Sequence, residues 1–506
     1  MTRIINDLVR RLGTFSFNVA FKFESEEYLY SDLIKRLTVI TNLLDKKDYD
    51  SESVIGFDAS EVSNFETYCQ ILSCIISGKC FVPINLDYPQ ERVEYMLNVT
   101  GIKTILINSK TNLKSFLKEM NEIKIINTNN LETINSDYIK IKDRPDSDLA
   151  YILFTSGSTG TPKGVPLTRK NLLGFIENFN RLNYQINQDD KFLQMFDFTF
   201  DLSIFSYLIP LFYGASICPI SSRGIKLSNT FNTLLDENIS VALVVPSLLS
   251  FLKPYYEEIS LPSLRYLFFC GEALSNELTF EFSKCVPHAR IVNFYGPTEA
   301  TIFCTYYEWK QELMNIKHHN GSVSIGKAFP NMLTVILDEQ NKVITQPNII
   351  GELCLAGNQL TPGYYKNDEK NKTSFVELII DGNNHRLYRT GDLAFYDKDG
   401  DIMFVGRKDF QIKIQGYRIE LGEIEYTLRK LLNNPDVVVV SRNNKNDITE
   451  LHAFIKGIEL NKAELKAKVS EVLPAYMLPT DYHFIKDFPL NNNGKIDRNK
   501  LKEIIE

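Results

Sequence analysis

Residues 151–164 read YILFTSGSTGTPKG. Apolar and aromatic residues give way at once to glycine, serine and threonine, which predicts a buried strand ending near Phe154 and a flexible loop after it. Glycine allows backbone N–H groups to approach a ligand closely, and hydroxyls and the Lys163 ammonium group suit phosphate oxygens. Such a loop is a common position for function in an open α/β sheet. The stretch therefore indicates a phosphate-binding loop, with a polar surface turn as the alternative.

The rest of the chain continues the alternation of strands and helices. Runs such as KCFVPI (79–84), ERVEYMLNVTG (91–101) and KTILIN (103–108) predict an α/β fold with mainly parallel strands. From about residue 322 the β-like runs become shorter, and Asp399-Gly400 predicts a hairpin. We predict a large multi-sheet α/β N-terminal core with a β-rich subdomain over 1–391. A small, mobile α+β lid domain is predicted over 392–506.

The composition is that of a soluble globular protein. Hydrophobic residues make up 44% and charged residues 24% of the 506 residues, and the net charge of −7 argues against a nucleic-acid-binding surface. Eight scattered cysteines form no C-x-x-C pair, which fits a reducing cytoplasm. Nothing approaches the roughly 20 apolar residues that a membrane span requires. We therefore predict a cytoplasmic protein that binds neither nucleic acid nor membrane.

Further motifs accompany the loop in a fixed order. They read VPINLDYPQERVEYML (82–97), FTSGSTGTPKGV (154–165), NFYGPTEAT (293–301), GELCLAGNQLTPGYY (351–365), YRTGDL (388–393), GRKDFQIKIQGYRIELGEIE (406–425), LPAYMLP (473–479) and NGKIDR (493–498). Together they resemble the adenylate-forming superfamily over nearly the whole chain. Within it, the motifs are most similar to nonribosomal peptide adenylation domains and standalone D-alanine:carrier-protein ligases.

The resemblance implies a reaction in two steps. A substrate carboxylate attacks the α-phosphorus of ATP, which gives an acyl-adenylate and pyrophosphate, and a thiol then captures the acyl group. Lys495 matches the lysine that stabilises charge between the carboxylate and the α-phosphate. Glu299 matches a Mg²⁺ ligand, and Thr298 adds contacts to the phosphates. ATP and Mg²⁺ are therefore expected, with Lys495, Glu299 and Thr298 as catalytic residues.

The same resemblance assigns the nucleotide contacts. Asp392 would accept both ribose hydroxyls, Arg407 would add a ribose contact, and Tyr295 would lie against the adenine ring. The loop would bind the β- and γ-phosphates. The predicted nucleotide-binding residues are Thr155, Ser156, Gly157, Ser158, Thr159, Gly160, Lys163, Tyr295, Asp392 and Arg407.

The substrate pocket depends on which of two aspartates is used. MFDFTFDLSIFSYL (195–208) holds two registers of an F-D-x-[ST] signature, one with Asp197 and one with Asp201. The spacing to LFYGA favours Asp201, which in amino-acid-activating members faces the substrate ammonium; a helix cap is the alternative role. The predicted substrate-binding residues are Asp201, Leu202, Phe205, Cys270, Phe294 and Ile302. Their bulk predicts a small, uncharged amino acid, with ordinary core packing as the alternative reading.

Asp409 matches a hinge between the two domains. The resemblance implies that the small domain delivers Lys495 for adenylation and then rotates about Asp409 to admit a phosphopantetheine thiol. Because the chain ends eleven residues after Lys495, we expect a separate carrier protein as the acceptor. The rival functions are an acyl-CoA synthetase for a plain carboxylic acid and a catalytically silent nucleotide-binding protein.

Overall fold

The computed structural model describes residues 2–505 except 25, 47–48, 50–52, 121, 135, 137, 158–160, 311–315, 446–447, 458 and 491–495. Its strands in chain order are β1 (Val19–Phe23), β2 (Glu26–Leu29), β3 (Val54–Asp58), β4 (Cys80–Ile84), β5 (Thr104–Ile107), β6 (Lys124–Asn127), β7 (Leu149–Thr155), β8 (Lys163–Thr168), β9 (Lys191–Gln194), β10 (Ser216–Pro219), β11 (Val241–Val244), β12 (Tyr266–Phe269), β13 (Arg290–Tyr295), β14 (Thr305–Trp309), β15 (His318–His319), β16 (Ser322–Val323), β17 (Lys327–Ala328), β18 (Met332–Leu337), β19 (Gly351–Gly357), β20 (Phe375–Ile380), β21 (Asn383–Tyr396), β22 (Ile402–Arg407), β23 (Gln411–Ile414), β24 (Tyr417–Glu420), β25 (Val437–Asn443), β26 (Thr449–Lys456) and β27 (Asp481–Ile485). The helices are α1 (Thr2–Thr14), α2 (Tyr30–Leu44), α3 (Phe65–Ile76), α4 (Gln90–Thr100), α5 (Ser115–Glu119), α6 (Arg169–Arg181), α7 (Asp201–Leu208), α8 (Lys226–Asp236), α9 (Ser247–Leu252), α10 (Asn276–Ser283), α11 (Asp368–Ser374), α12 (Leu421–Leu432), α13 (Lys462–Ser470) and α14 (Arg498–Ile504).

Two mainly parallel sheets form the large N-terminal region. Over the described residues, one sheet has the strand order β17-β14-β13-β12-β11-β9-β10-β1-β2 and the other the order β6-β5-β3-β4-β7-β8. Helix α3 lies within the apolar core common to both sheets, and every residue of α3 is buried. A helix that is buried all round must be apolar on all its faces, as FETYCQILSCII largely is. The predicted α/β fold is confirmed.

The predicted phosphate loop joins β7 to β8, which pair antiparallel. The last residue of β7, Thr155, lies opposite the first residue of β8, Lys163, so the loop between them is the tip of a hairpin. This pairing departs from the mainly parallel pattern because the connection from Thr155 to Lys163 is too short for the crossover that a parallel pair needs. After β8, Thr168 and Asn171 cap the start of α6 with reciprocal side-chain to backbone hydrogen bonds of 3.2 and 2.9 Å.

An antiparallel sheet of β18, β19, β20, β21 and β22 forms the β-rich subdomain. The predicted hairpin lies between β21 and β22, where Gly400 has a positive φ of 79°. The division predicted between residues 391 and 392 falls inside β21, which is paired on both sides. The bend with Asp409 follows β22 and separates this sheet from the β23–β24 hairpin.

The C-terminal residues have a core of their own. Strands β25, β26 and β27 form a sheet, and residues of α12 and α13 pack against it in one apolar cluster. Ile419, Ile424 and Val437 are fully buried in this cluster. The small α+β unit expected here is therefore present. Among the described residues, every helix is too short or too polar to cross a membrane.

Candidate active site

A cavity of about 860 Å³ lies at the carboxyl ends of β9, β12 and β13, where the loops after parallel strands converge. The small domain closes it from the other side through the β23–β24 hairpin. Predicted site residues that line it are Thr155, Ser156, Asp201, Leu202, Cys270, Phe294, Tyr295, Thr298, Asp392 and Arg407. The fold therefore brings residues that are distant in sequence to one site.

The phosphate loop retains free hydrogen-bonding capacity. The Thr155 Oγ1 atom is buried without a hydrogen-bond partner, so it can donate to a ligand oxygen. At Gly157 an added Cβ would lie 1.9 Å from the Thr161 carbonyl oxygen, so only glycine fits this turn. These features fit a nucleoside triphosphate. Ser158, Thr159 and Gly160 lie outside the described residues, and their predicted contacts stay predictions.

Glu299 is fully buried in the short turn Thr298–Ala300 after β13. Its carboxylate accepts hydrogen bonds of 3.0 and 2.8 Å from Arg418 Nη1 and one of 2.6 Å from the Tyr364 hydroxyl. Burial would raise the pKa of Glu299, but the charge of Arg418, the Tyr364 hydrogen bond and the charge of Lys163 outweigh it and lower the pKa to about 2. A carboxylate that stays ionised is a suitable hard ligand for Mg²⁺.

Residues 416–423 of the small domain, here called the docked segment, contact the phosphate loop. Glu420 accepts from Lys163 at 3.3 Å, and Glu423 accepts from the Gly157 N–H at 3.0 Å. Ser156 donates to the Arg418 carbonyl at 2.8 Å. Burial is the main cause that lowers the pKa of Lys163, and the positive charge of Arg418 adds to it. Donors predicted for phosphate are thus paired with carboxylates of this chain.

The predicted ribose residues form one network. The Tyr295 hydroxyl donates to Asp392 at 2.5 Å, and Arg407 Nη1 donates to the other Asp392 oxygen at 2.8 Å. Arg407 also donates to the Asp409 carboxylate at 2.9 and 2.7 Å. Asp409 is thereby connected to the predicted ribose site, and it lies at the exposed bend between β22 and β23.

The two aspartates of FDFTFD have different surroundings. Asp201 is the first residue of α7 and is 7% exposed, and its Oδ2 atom is buried without a hydrogen-bond partner. The residue at the helix cap is Phe200, and it makes no side-chain capping bond. Burial is the largest cause that raises the pKa of Asp201 to about 6. Asp197, by contrast, accepts a hydrogen bond from the Tyr417 hydroxyl and pairs with Lys226 at 3.4 Å.

The six predicted substrate-pocket residues fall into two groups. Asp201, Leu202, Cys270 and Phe294 line the cavity. Phe205 and Ile302 are fully buried in the core. Phe294 stacks on Phe303 at 4.2 Å, and Phe205 meets Phe303 at 5.4 Å. Phe294 therefore lines the cavity, whereas Phe205 and Ile302 do not, and Phe205 packs behind Phe294 through Phe303.

A strained turn connects Glu299 to this pocket. Thr301 and Ile302 have φ values of 56° and 71°, which β-branched residues rarely adopt. The Gln359 amide donates to the carbonyls of Ala300, Thr301 and Phe303 at 3.1, 3.2 and 3.0 Å. The surrounding bonds thus maintain a conformation that costs about 1–3 kcal/mol per residue. Sequence reasoning missed Gln359, Tyr364 and Arg418 as site residues, although all three lie within motifs quoted above.

Lys495 lies outside the described residues, and so its predicted catalytic role stays a prediction. The chain on either side of it is described: Leu490 and Ile496 form a β-bridge, and Arg498 Nη2 pairs with Glu425 at 2.7 Å.

The fold, and the cavity that many of the predicted site residues line, agree with the resemblance to the adenylate-forming superfamily. Comparison with known proteins agrees. The chain belongs to the family described as AMP-binding enzyme, whose profile matches residues 10–365. This family agrees with the predicted membership of the adenylate-forming superfamily.

Its relatives include two bacterial synthases. Tyrocidine synthase 3 of Brevibacillus parabrevis is 32% identical over 491 residues, which cover 96% of this chain and 7% of that protein. Zwittermicin A synthase ZmaJ of Bacillus cereus is 31% identical over 501 residues, which cover 96% of this chain and 91% of that protein. The chain spans 7 to 44% of the length of the first curated relatives that it matches.

A solved structure supports the same fold. The adenylation domain AlmE of Vibrio cholerae, in complex with glycyl-adenosine-5'-phosphate, matches with a TM-score of 0.85. The two chains are 23% identical, and the match covers 100% of this chain and 97% of AlmE. The likeness confirms the predicted arrangement of a large α/β region followed by a smaller domain.

Proposed function

We propose that the protein activates a small, uncharged amino acid with ATP and passes the aminoacyl group to the phosphopantetheine thiol of a separate carrier protein. The observation that carries this proposal is the unpartnered Oδ2 atom of Asp201, which is buried beside a cavity whose apolar wall includes Leu202 and Phe294. A buried carboxylate oxygen without a hydrogen-bond partner is costly, and a substrate ammonium group would supply both a donor and a positive charge. A plain carboxylic acid brings no such charge.

In the first step, an oxygen of the substrate carboxylate attacks the α-phosphorus of ATP, and the bond to the β-phosphate breaks. Asp201 would orient the substrate amine, while Thr155, Gly157 and Lys163 would bind the phosphates. Mg²⁺, held in part by Glu299, would neutralise charge on the phosphate oxygens. Thr298 would add a phosphate contact, and Lys495 would stabilise the charge that develops between the carboxylate and the α-phosphate.

In the second step, the carrier thiol attacks the carbonyl carbon of the adenylate. The carbon–oxygen bond to AMP breaks, AMP leaves, and the thiol proton passes to solvent. The contacts of the docked segment support this arrangement as the one for thiol transfer, because Glu420 and Glu423 are bound where the phosphates of ATP would be. Adenylation then requires the residues after Asp409, the proposed hinge, to rotate away from the core, while β21 and β22 stay paired in the β-rich sheet and keep Asp392 and Arg407 in place.

The experiment that tests the function is pyrophosphate release with ATP and Mg²⁺. All twenty amino acids, D-alanine and simple carboxylic acids such as propionate would be compared. We expect release with one small amino acid and none with its des-amino analogue. Release with plain acids alone would instead identify an acyl-CoA synthetase, and fastest release with a large aromatic amino acid would refute the small pocket.

A further inference from the structure

The FDFTFD stretch contains an aspartate that the proposed function leaves without a role. Asp201 lines the cavity, whereas Asp197 points to the small domain. The Asp197 carboxylate accepts a hydrogen bond from the hydroxyl of Tyr417 in β24 and pairs with Lys226 Nζ at 3.4 Å. Asp197 and Lys226 belong to the large region and Tyr417 to the small domain, so this contact crosses between them.

The Tyr417 ring also contacts residues on several sides. It stacks on Tyr476 with ring centres 4.2 Å apart, and it meets Phe200 edge-on at 4.5 Å. Lys226 Nζ lies 5.2 Å from the ring centre. Burial, and then the Asp197 charge, raise the pKa of Tyr417 well above its ordinary value, so the hydroxyl keeps its proton and remains a donor.

Tyr417 also lies between two residues of the docked segment that contact the active site. Its neighbour Gly416 lines the cavity and donates its N–H to Glu272 at 3.1 Å. Gly416 lies so close to Gly271 that a Cβ on Gly271 would be 3.5 Å from the Gly416 Cα. On the other side of Tyr417, Arg418 reaches Glu299. Fixing Tyr417 therefore fixes the register of both neighbours against the active site.

We propose that Asp197, Lys226 and Tyr417 form a latch that holds the small domain in its thiol-transfer orientation. Asp197 is a positioning residue for the second step and takes no part in adenylation. The proposal rests on the proposed function, since it assumes that the two steps use different orientations of the small domain. It gives the two aspartates separate tasks: Asp201 binds the substrate amine, and Asp197 binds the docked domain.

The test measures the two steps separately in the full chain. Adenylation is followed by amino-acid-dependent exchange of pyrophosphate into ATP. Thiol transfer is followed in a single turnover, by mixing enzyme that carries preformed adenylate with pantetheine and quantifying the thioester by mass spectrometry. The variants are Asp197→Asn and Tyr417→Phe. Asp189→Asn and Tyr426→Phe are matched controls, because Asp189 and Tyr426 are exposed.

Loss of one hydrogen bond to a charged acceptor should slow thiol transfer by about tenfold to a hundredfold. We expect this loss in both latch variants, with exchange rates and amino-acid KM within about twofold of the unchanged protein. The double variant should lose little more than Tyr417→Phe, because asparagine at 197 removes the charge of the acceptor and phenylalanine at 417 removes the donor of the same contact.

Three results would overturn the latch. Unchanged thiol transfer in Tyr417→Phe would show that the contact does not position the domain. Equal loss of both steps would indicate a general structural role, and a rise in amino-acid KM in Asp197→Asn alone would make Asp197 the amine ligand. If the unchanged protein catalyses no exchange with any amino acid, the proposed function fails instead, which is a separate outcome.

Discussion

Replacing Asp201 with asparagine tests the substrate assignment most directly. The pKa of about 6 lies roughly two pH units above the ordinary value of 3.8 for aspartic acid. This difference corresponds to about 3 kcal/mol against the ionised form. A bound ammonium group would offset that cost, so removing the charge should raise the amino-acid KM by about a hundredfold. The KM for ATP should change little.

The pH dependence gives the prediction a second measurement. As pH falls through 6, Asp201 takes up a proton and loses its attraction for the substrate amine. We expect the amino-acid KM of the unchanged protein to rise about tenfold for each pH unit below 6, since one proton is bound per site. The KM of Asp201→Asn should stay nearly constant over the same range.

Asp201→Asn should stabilise the substrate-free protein although it weakens amino-acid binding. The folded pKa of Asp201 is raised, so its favourable contribution is complete below about pH 3.8 and is lost as pH rises through 6. At pH 7 the neutral asparagine should therefore raise the thermal midpoint of the substrate-free protein. A des-amino analogue such as propionate should bind the variant no worse than the unchanged enzyme.

The amino-acid KM is measured by pyrophosphate exchange at pH 5, 6, 7 and 8. Asp189→Asn, at an exposed position, is the control. An Asp201→Asn variant with an unchanged KM would refute the reasoning, since no substrate ammonium group would then face this carboxylate. A KM that rises at low pH in both proteins alike would place the titrating group elsewhere.

Three further changes test the hinge, the docked segment and the pocket. Asp409→Pro should slow thiol transfer to pantetheine by at least tenfold and leave pyrophosphate exchange intact, because it stiffens the bend after β22; equal loss of both steps would count against a hinge. Glu420→Gln removes the negative charge that pairs with Lys163, so pyrophosphate should inhibit thiol transfer at a severalfold lower concentration. Unchanged inhibition would show that pyrophosphate and the Glu420 carboxylate do not compete for Lys163. Phe294→Ala should shift pyrophosphate release towards larger amino acids such as leucine and lower stability by about 3–5 kcal/mol, and an unchanged substrate profile would place the pocket wall elsewhere.

The sequence predicts the fold well where local patterns decide it. Apolar runs locate β4, β5 and β7, and the stretch 91–101 locates the helix α4 between β4 and β5. Apolar runs do not predict which strands pair with each other, because strand pairing depends on contacts between distant parts of the chain. The antiparallel return of β8 beside β7 is one such case, and the position of residue 391 inside β21 is another.

In the candidate site, too, local motifs can be recognised in the sequence, whereas contacts between distant residues cannot. The family resemblance predicts roles for Gly157, Glu299 and Asp392, and these roles stay predictions. Arg418 and Gln359 act through partners far along the chain, so their local sequence gives no sign of the contact. The two F-D-x-[ST] registers show the limit clearly. Both aspartates fit the pattern, and only their surroundings separate the one with an unpartnered oxygen from the one that binds Tyr417.

The charges of the docked segment explain how one site could serve two steps in order. Arg418 brings a positive charge to Glu299, while Glu420 and Glu423 bring negative charges to Lys163 and the Gly157 N–H. A magnesium polyphosphate presents the same signs to the same groups. Each occupant neutralises charges that would otherwise be buried unpaired, which would cost several kcal/mol. Under the proposed function the two occupants would exclude one another, and thiol transfer would follow only after pyrophosphate has left.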